Sequence, residues 1–256
     1  MFPILVNLGI FKIYTIGFFL VVSFFAGAFM LWKNIKLTSY KEEEIFDGLF
    51  FSILGALLGA RLVYVAFNFQ DFGFNFLRFI LINGFPGLSL FGALFGAFIT
   101  LLLYARLQKT SLRELSEYIV SPLFLSLALG KIGSFLGGAD IGTTTKFLLN
   151  VHYSGVDGTR HIVAIYEALM FLVGFAITYR FMFIVRRDRV QQGTSLFFFM
   201  IWFGLTELIL DSLKQNHLLV AGWSFNMLAA IMFVLLGAGS LLLIHRHELG
   251  RLVKGS

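Results

Sequence analysis

Seven apolar stretches, each close to the ~20 residues a helix needs to cross a bilayer, recur along the chain at residues 13–32, 45–67, 88–104, 116–136, 162–184, 195–210 and 219–244. Lipid offers the backbone no hydrogen-bond partners, so such segments span either as helices or as a closed barrel. The stretches are continuously apolar and do not alternate with period two, which disfavours the barrel. With 58% hydrophobic and 13% charged residues and a mean hydropathy of +0.87, the chain lies far outside the range of soluble domains. The expected fold is an all-α integral membrane protein, a seven-transmembrane-helix bundle in which residues 1–256 form one polytopic domain with short polar loops. Ala26-Gly27-Ala28 resembles a signal-peptide cleavage site, but the basic residue ahead of it is Lys12 alone and the apolar run continues past it, so a span is expected.

Basic residues set the expected orientation. Lys33, Lys36, Lys41, Arg106, Lys109, Arg113, the Arg180–Arg189 group, Arg246, Arg251 and Lys254 fall on one side. The other side carries the sparser set Lys12, Arg78, Lys146, Arg160 and Lys214. The positive-inside rule then puts the N-terminus outside and the C-terminus in the cytoplasm. The net charge of +6 is mainly this topology signal, with attraction to anionic headgroups second, and no nucleic-acid partner is expected. Cysteine is absent, which excludes disulfides, thiolate chemistry and cysteine metal sites. The 33 phenylalanines read as lipid-facing bulk.

The stretch Gly130-Lys131-Ile132-Gly133-Ser134-Phe135-Leu136-Gly137-Gly138-Ala139-Asp140-Ile141-Gly142 organises the rest. Glycines at a helix exit let main chain approach a ligand, although Gly133 and Gly137, four apart, also suit simple helix packing. Gly55 and Gly59, and Gly92 and Gly96, give two further close-packing faces. Lys131 is costly within an apolar span, as is Arg61, and such residues are functional-site candidates. Glu167, Glu207 and Asp211 also fall in outer halves of their spans, and Glu207, Asp211 and Lys214 share a helical face by spacing. Arg61, Lys131, Glu167, Glu207 and Asp211 are expected to face one another around a single polar cavity open to the outer leaflet. Two cations, glycine-rich backbone and apolar walls suit an amphiphile with an anionic head. Tyr14 reads as an interfacial anchor, as does the aromatic loop of Phe72, Phe74, Phe76, Phe79 and Phe85. Residues 112–118 read as a connector, Pro122 as a start or kink of the fourth helix, and Asp157-Gly158 as a turn.

Several blocks in order resemble the bacterial prolipoprotein diacylglyceryl transferase family: Tyr14, Gly59-Ala60-Arg61-Leu62-Val63-Tyr64, Gly87-Leu88-Ser89-Leu90-Phe91-Gly92, the Gly130–Gly142 stretch, and His161-Ile162-Val163-Ala164-Ile165-Tyr166-Glu167. The resemblance implies a bacterial inner-membrane enzyme that moves diacylglyceryl from phosphatidylglycerol to the lipobox cysteine of a preprolipoprotein, releasing glycerol phosphate, with no metal or diffusible cofactor. Phosphatidylglycerol, or a similar anionic phospholipid, and the preprolipoprotein signal segment are the implied partners. Carried over by position, Lys131, Arg61, Gly133, Ser134, Gly137 and Gly138 would hold the headgroup. Tyr14, Tyr166 and Glu207 would complete the substrate cavity, and a base among His161, Glu167 and Asp140 would take the thiol proton. The chain departs from the family pattern in several places. Phe91-Gly92-Ala93 stands where the family has His-Gly-Gly, and Lys131 replaces an arginine. Ser134 and Gly137 replace asparagines, Ala139 replaces a glutamate, and Phe203 and Glu207 stand for a tyrosine and an arginine. Those departures fit an alternative, a catalytically impaired relative that binds an anionic phospholipid or a signal segment. A seven-helix photoreceptor is disfavoured because residues 219–244 contain no lysine for a Schiff base.

Overall fold

Seven long helices occupy the seven apolar stretches in a computed structural model, which describes residues 2–9, 12–80, 87–153, 155–215, 217–220 and 222–254. In chain order the elements are β1 (Ile4–Asn7), β2 (Lys12–Tyr14), α1 (Thr15–Ile35), α2 (Glu42–Phe67), α3 (Phe69–Phe72), α4 (Phe76–Ile80), α5 (Leu90–Leu107) and α6 (Leu112–Gly137). There follow β3 (Asn150–His152), β4 (Thr159–His161), α7 (Val163–Val185), α8 (Thr194–Asp211), β5 (Leu219–Val220), β6 (Trp223–Ser224) and α9 (Phe225–Lys254). The helices α1, α2, α5, α6, α7 and α8, with Phe225–His245 of α9, are each long and apolar enough to cross a membrane.

The all-α expectation holds for these crossing segments and needs one addition. Three two-stranded antiparallel pairs, β1 with β2, β3 with β4 and β5 with β6, lead directly into α1, α7 and α9. Helix direction alternates along the chain, so all three hairpins lie at one end of the bundle. Bonds across that end agree: the Phe2 amide donates to the Leu136 carbonyl at 2.9 Å, and Thr143 donates to Leu213 at 2.8 Å. The last span therefore begins at Phe225 and not at residue 219. Gly222, at φ +86°, takes the left-handed conformation that a hairpin turn requires.

Helix α6 starts earlier than expected. The Ser111 side chain accepts from the Glu114 amide at 3.4 Å, so residues 112–118 are helical and Pro122 sits inside the helix. Proline has no N–H for the carbonyl four residues back. That carbonyl, on Tyr118, instead accepts from the Asn34 Nδ2 of α1 at 2.9 Å. A side chain from a neighbouring helix thus satisfies the backbone group that proline frees in an apolar medium. At the same end Glu117, 2% exposed, accepts from the Gly193 amide at 2.7 Å and the Ser195 amide at 3.2 Å. It caps α8 from another helix.

The glycine faces meet each other. A Cβ on Gly59 would stand 2.9 Å from the Gly96 Cα, and one on Gly96 would stand 2.9 Å from the Gly55 carbonyl carbon. The α2–α5 hairpin therefore packs backbone against backbone, as small residues permit. Elsewhere α6 packs between α1 and α7, and α8 against α9. Phe91, Phe124, Phe171, Phe199, Phe203 and Phe233 form the buried centre, so part of the phenylalanine content is core and not lipid-facing bulk. An apolar cavity of about 460 Å³ lies beside the α2–α5 pair, lined among others by Ala56, Ala93, Phe98, Leu123, Phe199 and Phe233. Its lining on α5 runs from Leu90 to the level of Gln108, some 27 Å at about 1.5 Å per residue, close to the thickness of the hydrocarbon layer.

Candidate functional site

Lys131 lies in the last two turns of α6, pointing toward the hairpin end. The helix stops at Gly138, whose φ of +71° is the left-handed termination that glycine allows. The chain then folds back and sets the Asp140 Oδ2 2.9 Å from the Lys131 Nζ. From α7, Glu167 brings Oε2 to 2.5 Å of the same ammonium, and its Oε1 lies 2.7 Å from the Lys214 Nζ. Lys214 also reaches the Glu207 Oε2 of α8 at 2.6 Å. The result is one alternating chain: Asp140, Lys131, Glu167, Lys214, Glu207.

This chain is deeply set. Glu167 is fully buried and Glu207 nearly so, the two lysines are 14% exposed, and Asp140, at 37%, is the most open member. Removing a charge from water costs several kcal/mol, and only close opposite partners offset that. Three carboxylates share two lysines, so the network carries one negative charge more than it can pair internally. Burial pushes the Asp140 carboxyl up, but the Lys131 ammonium outweighs it and holds Asp140 below the usual carboxylate range. Burial likewise works against the Lys214 charge, while Glu207 and Glu167 outweigh it and keep its ammonium above the ordinary lysine range. The loops carrying these residues are stitched together. Gln215 donates to Ile141 at 3.1 Å, and Gly142 and Lys214 form an antiparallel bridge.

The residues singled out from the sequence fall into three places. Lys131, Asp140, Glu167 and Glu207 meet in the network, and Ser134 favours the charged form of Asp140. Gly133 and Gly137 face α1, where a Cβ on Gly137 would stand 2.6 Å from the Ile16 Cγ1. The Tyr166 hydroxyl donates to the Leu149 carbonyl at 2.9 Å. His161 ends β4 with its ring 6.4 Å from Tyr166 and 6.2 Å from Phe147; its Nδ1 is buried with no hydrogen-bond partner among the described residues. Tyr14 closes β2 and is 58% exposed.

Arg61 corrects the expectation of a single ring of charges. It is 3% exposed and donates through Nε to Phe79 at 2.8 Å, through Nη2 to Arg78 at 2.7 Å and through Nη1 to Gly87 at 3.0 Å. Its guanidinium lies over the Phe72 ring, 4.8 Å from the centroid. These contacts all belong to the connection between α2 and α5, which Arg61 pins to the bundle. Phe85 of that connection lies outside the described residues.

Lys214 is the member of the network that the sequence does not single out. Its spacing from Glu207 and Asp211 was the available signal, but α8 ends at Asp211, so Lys214 reaches the network from the turn that follows. Phe91 and Phe203 pack edge to face at 5.4 Å. Phe203 is one turn below Glu207, so an apolar aromatic floor underlies the network.

Residues 3–243 match the sequence profile described as "Prolipoprotein diacylglyceryl transferase". Among curated relatives, a protein of Listeria monocytogenes named phosphatidylglycerol--prolipoprotein diacylglyceryl transferase is 23% identical over 247 residues, covering 93% of this chain and 87% of the relative. A like-named protein of Streptococcus sanguinis is 23% identical, covering 93% of each. One of Enterococcus faecalis is 27% identical over 191 residues, covering 70% of this chain and 66% of its own length. With a profile match across nearly its whole length, the chain belongs to the prolipoprotein diacylglyceryl transferase family.

Proposed function

We propose that this chain is a phosphatidylglycerol–prolipoprotein diacylglyceryl transferase: a lipobox cysteine thiol displaces glycerol phosphate from the glyceryl carbon of phosphatidylglycerol. The observation that carries the reading is a buried charge network at the hairpin end, set over an apolar core, in a member of this family. The protein is a multi-pass protein of the bacterial inner membrane. The acyl chains occupy the apolar cavity beside the α2–α5 pair, where they replace no polar contact. The headgroup phosphate takes the place of Asp140, the most exposed carboxylate, on Lys131. Lysine serves as a point charge here, without the bidentate fork of arginine. Ser134 and Gly138 border that position, while Gly133 and Gly137 keep α6 close against α1. Tyr14, His161 and Tyr166 line the rim through which the signal segment reaches the lipid.

Residues 1–256 act as one domain, with the hairpin end outside and the basic connections in the cytoplasm. The natural absence of cysteine makes this simple to test with single-cysteine variants. In whole cells an impermeant maleimide is expected to label Asp157→Cys, and to label Asp188→Cys only after permeabilisation; the reverse pattern would invert the topology.

A second reading has its own observation. Both lysines already hold carboxylates, and a network with a surplus negative charge disfavours a phosphate, as in a relative that binds lipid or signal segment without turnover. The two readings part in one experiment, in which the purified protein receives phosphatidylglycerol and a lipobox peptide. Thiol-dependent release of glycerol phosphate, absent with a cysteine-to-serine peptide, supports the transferase. Lipid retained with no release supports the binding protein.

A further inference from the structure

The turn after α8 carries an acid–base pair outside the lysine network. Asp211, the last residue of α8, is 4% exposed, and its Oδ1 is buried with no hydrogen-bond partner among the described residues. The His217 Nδ1 faces the other oxygen, Oδ2, at 3.5 Å. That nitrogen is buried while the side chain is 26% exposed, so the ring opens outward on its Nε2 side. The backbone holds the arrangement in place. Lys214 donates to the Asp211 carbonyl at 3.0 Å, and Leu213 and Gln215 bond to the Ile141–Thr143 segment. The same turn aims the Lys214 Nζ at Glu207 and Glu167, which puts the pair at the edge of the network.

Thiol alkylation needs a proton acceptor, because the thiolate is the nucleophile. Asp140, Glu167 and Glu207 are each committed to a lysine ammonium. The His161 Nδ1 has no described partner to orient it. Among the described residues His217 is the one imidazole within 4 Å of a carboxylate. A buried carboxylate behind one ring nitrogen, with the other nitrogen open, is how an imidazole base is oriented and its charged form stabilised. The present separation exceeds a good hydrogen bond, as is common for such pairs before substrate binds.

We propose that His217, oriented by Asp211, accepts the proton of the acceptor cysteine, a role that rests on the transferase reading. The S–H bond breaks and its proton passes to Nε2. The sulfur electron pair forms the S–C bond to the glyceryl carbon, and the C–O bond to phosphate breaks with its pair leaving on glycerol phosphate. That product or water then takes the proton from His217.

The test uses full-length protein in phosphatidylglycerol-containing nanodiscs and two lipobox peptides, one with cysteine and one with selenocysteine, whose selenol is already ionised near neutral pH. His217→Gln is expected to lower transfer to the cysteine peptide about 100-fold or more, within the range of a lost general base. Its loss on the selenocysteine peptide is expected to be less than about tenfold, since that acceptor needs no base. Asp211→Asn follows in the same direction with a smaller loss. Added imidazole restores the cysteine reaction of His217→Ala, a response that a merely structural role would not give. Equal losses on both peptides, no loss, or no imidazole rescue would overturn the assignment while leaving an active wild type. A wild type inactive on both peptides would instead overturn the transferase reading, and this role with it.

Discussion

Lys131→Met is expected to destabilise the protein by roughly 3–5 kcal/mol, the cost of breaking a buried ion pair from one side, and to abolish diacylglyceryl transfer. Methionine keeps the volume and the fit beside Gly130 and Ser134 but removes one of the two cations that three carboxylates share. Glu167 is fully buried and is left with Lys214 alone. Asp140 loses its partner but can turn to solvent, so most of the cost falls on Glu167. Charge balance, and not the number of ion pairs, sets the size of the effect, and a companion variant checks this. Glu207→Gln removes the surplus negative charge and is expected to change stability by less than about 1 kcal/mol, in either direction, because Lys214 keeps Glu167 and no buried charge is left unpaired. Thermal unfolding of both variants in the same detergent decides the matter. Equal destabilisation by the two would mean that the network is not limited by cations.

Gly96→Leu is expected to open the α2–α5 pair at a cost upwards of about 3 kcal/mol, because overpacking against fixed backbone cannot be relieved by a rotamer change. A Cβ at Gly96 already meets the Gly55 carbonyl carbon at 2.9 Å and the Gly59 Cα at 3.1 Å, and leucine adds three more carbons. The wall of the apolar cavity formed by α2 and α5 moves with it, so retention of phosphatidylglycerol through purification falls as well. Gly130→Ala is the control. Nothing lies within 4 Å of a Cβ there, and a helix-interior glycine replaced by alanine gains roughly 0.5–1 kcal/mol. Lipid retained at wild-type level by a folded Gly96→Leu protein would separate the cavity from lipid binding.

The residues that were readable from sequence alone are those whose behaviour is local. Continuous apolar runs set the seven helices, and the four-residue spacing of Gly55 with Gly59 and of Gly92 with Gly96 announced a close seam, which proved to be one seam shared by both pairs. Intramembrane charges announced the network, since Lys131, Glu167 and Glu207 had to find partners. What escaped was set by tertiary neighbours. Strands of two to four residues carry no period that separates them from the apolar runs they abut. Gly133 and Gly137 could have faced a ligand or α1, and only the position of Ile16 and Phe19 decides it. Arg61 has the intramembrane position of the network residues, yet carbonyls of the α2–α5 connection reach it. Lys214 is hard to place from spacing, because the helical face that the spacing implies stops at Asp211, where the helix ends. Phe91 and Phe203 read as separate departures from a family pattern and are in fact each other's neighbours.

The most direct measurement is expression of this chain in bacteria depleted of their own prolipoprotein diacylglyceryl transferase, followed by mass analysis of the lipobox peptide of a model lipoprotein. The predicted result is a cysteine carrying one diacylglyceryl group with the wild-type chain and unmodified precursor with Lys131→Met. Unmodified precursor with a correctly inserted wild-type chain would contradict the transferase account and leave a lipid-binding relative in its place.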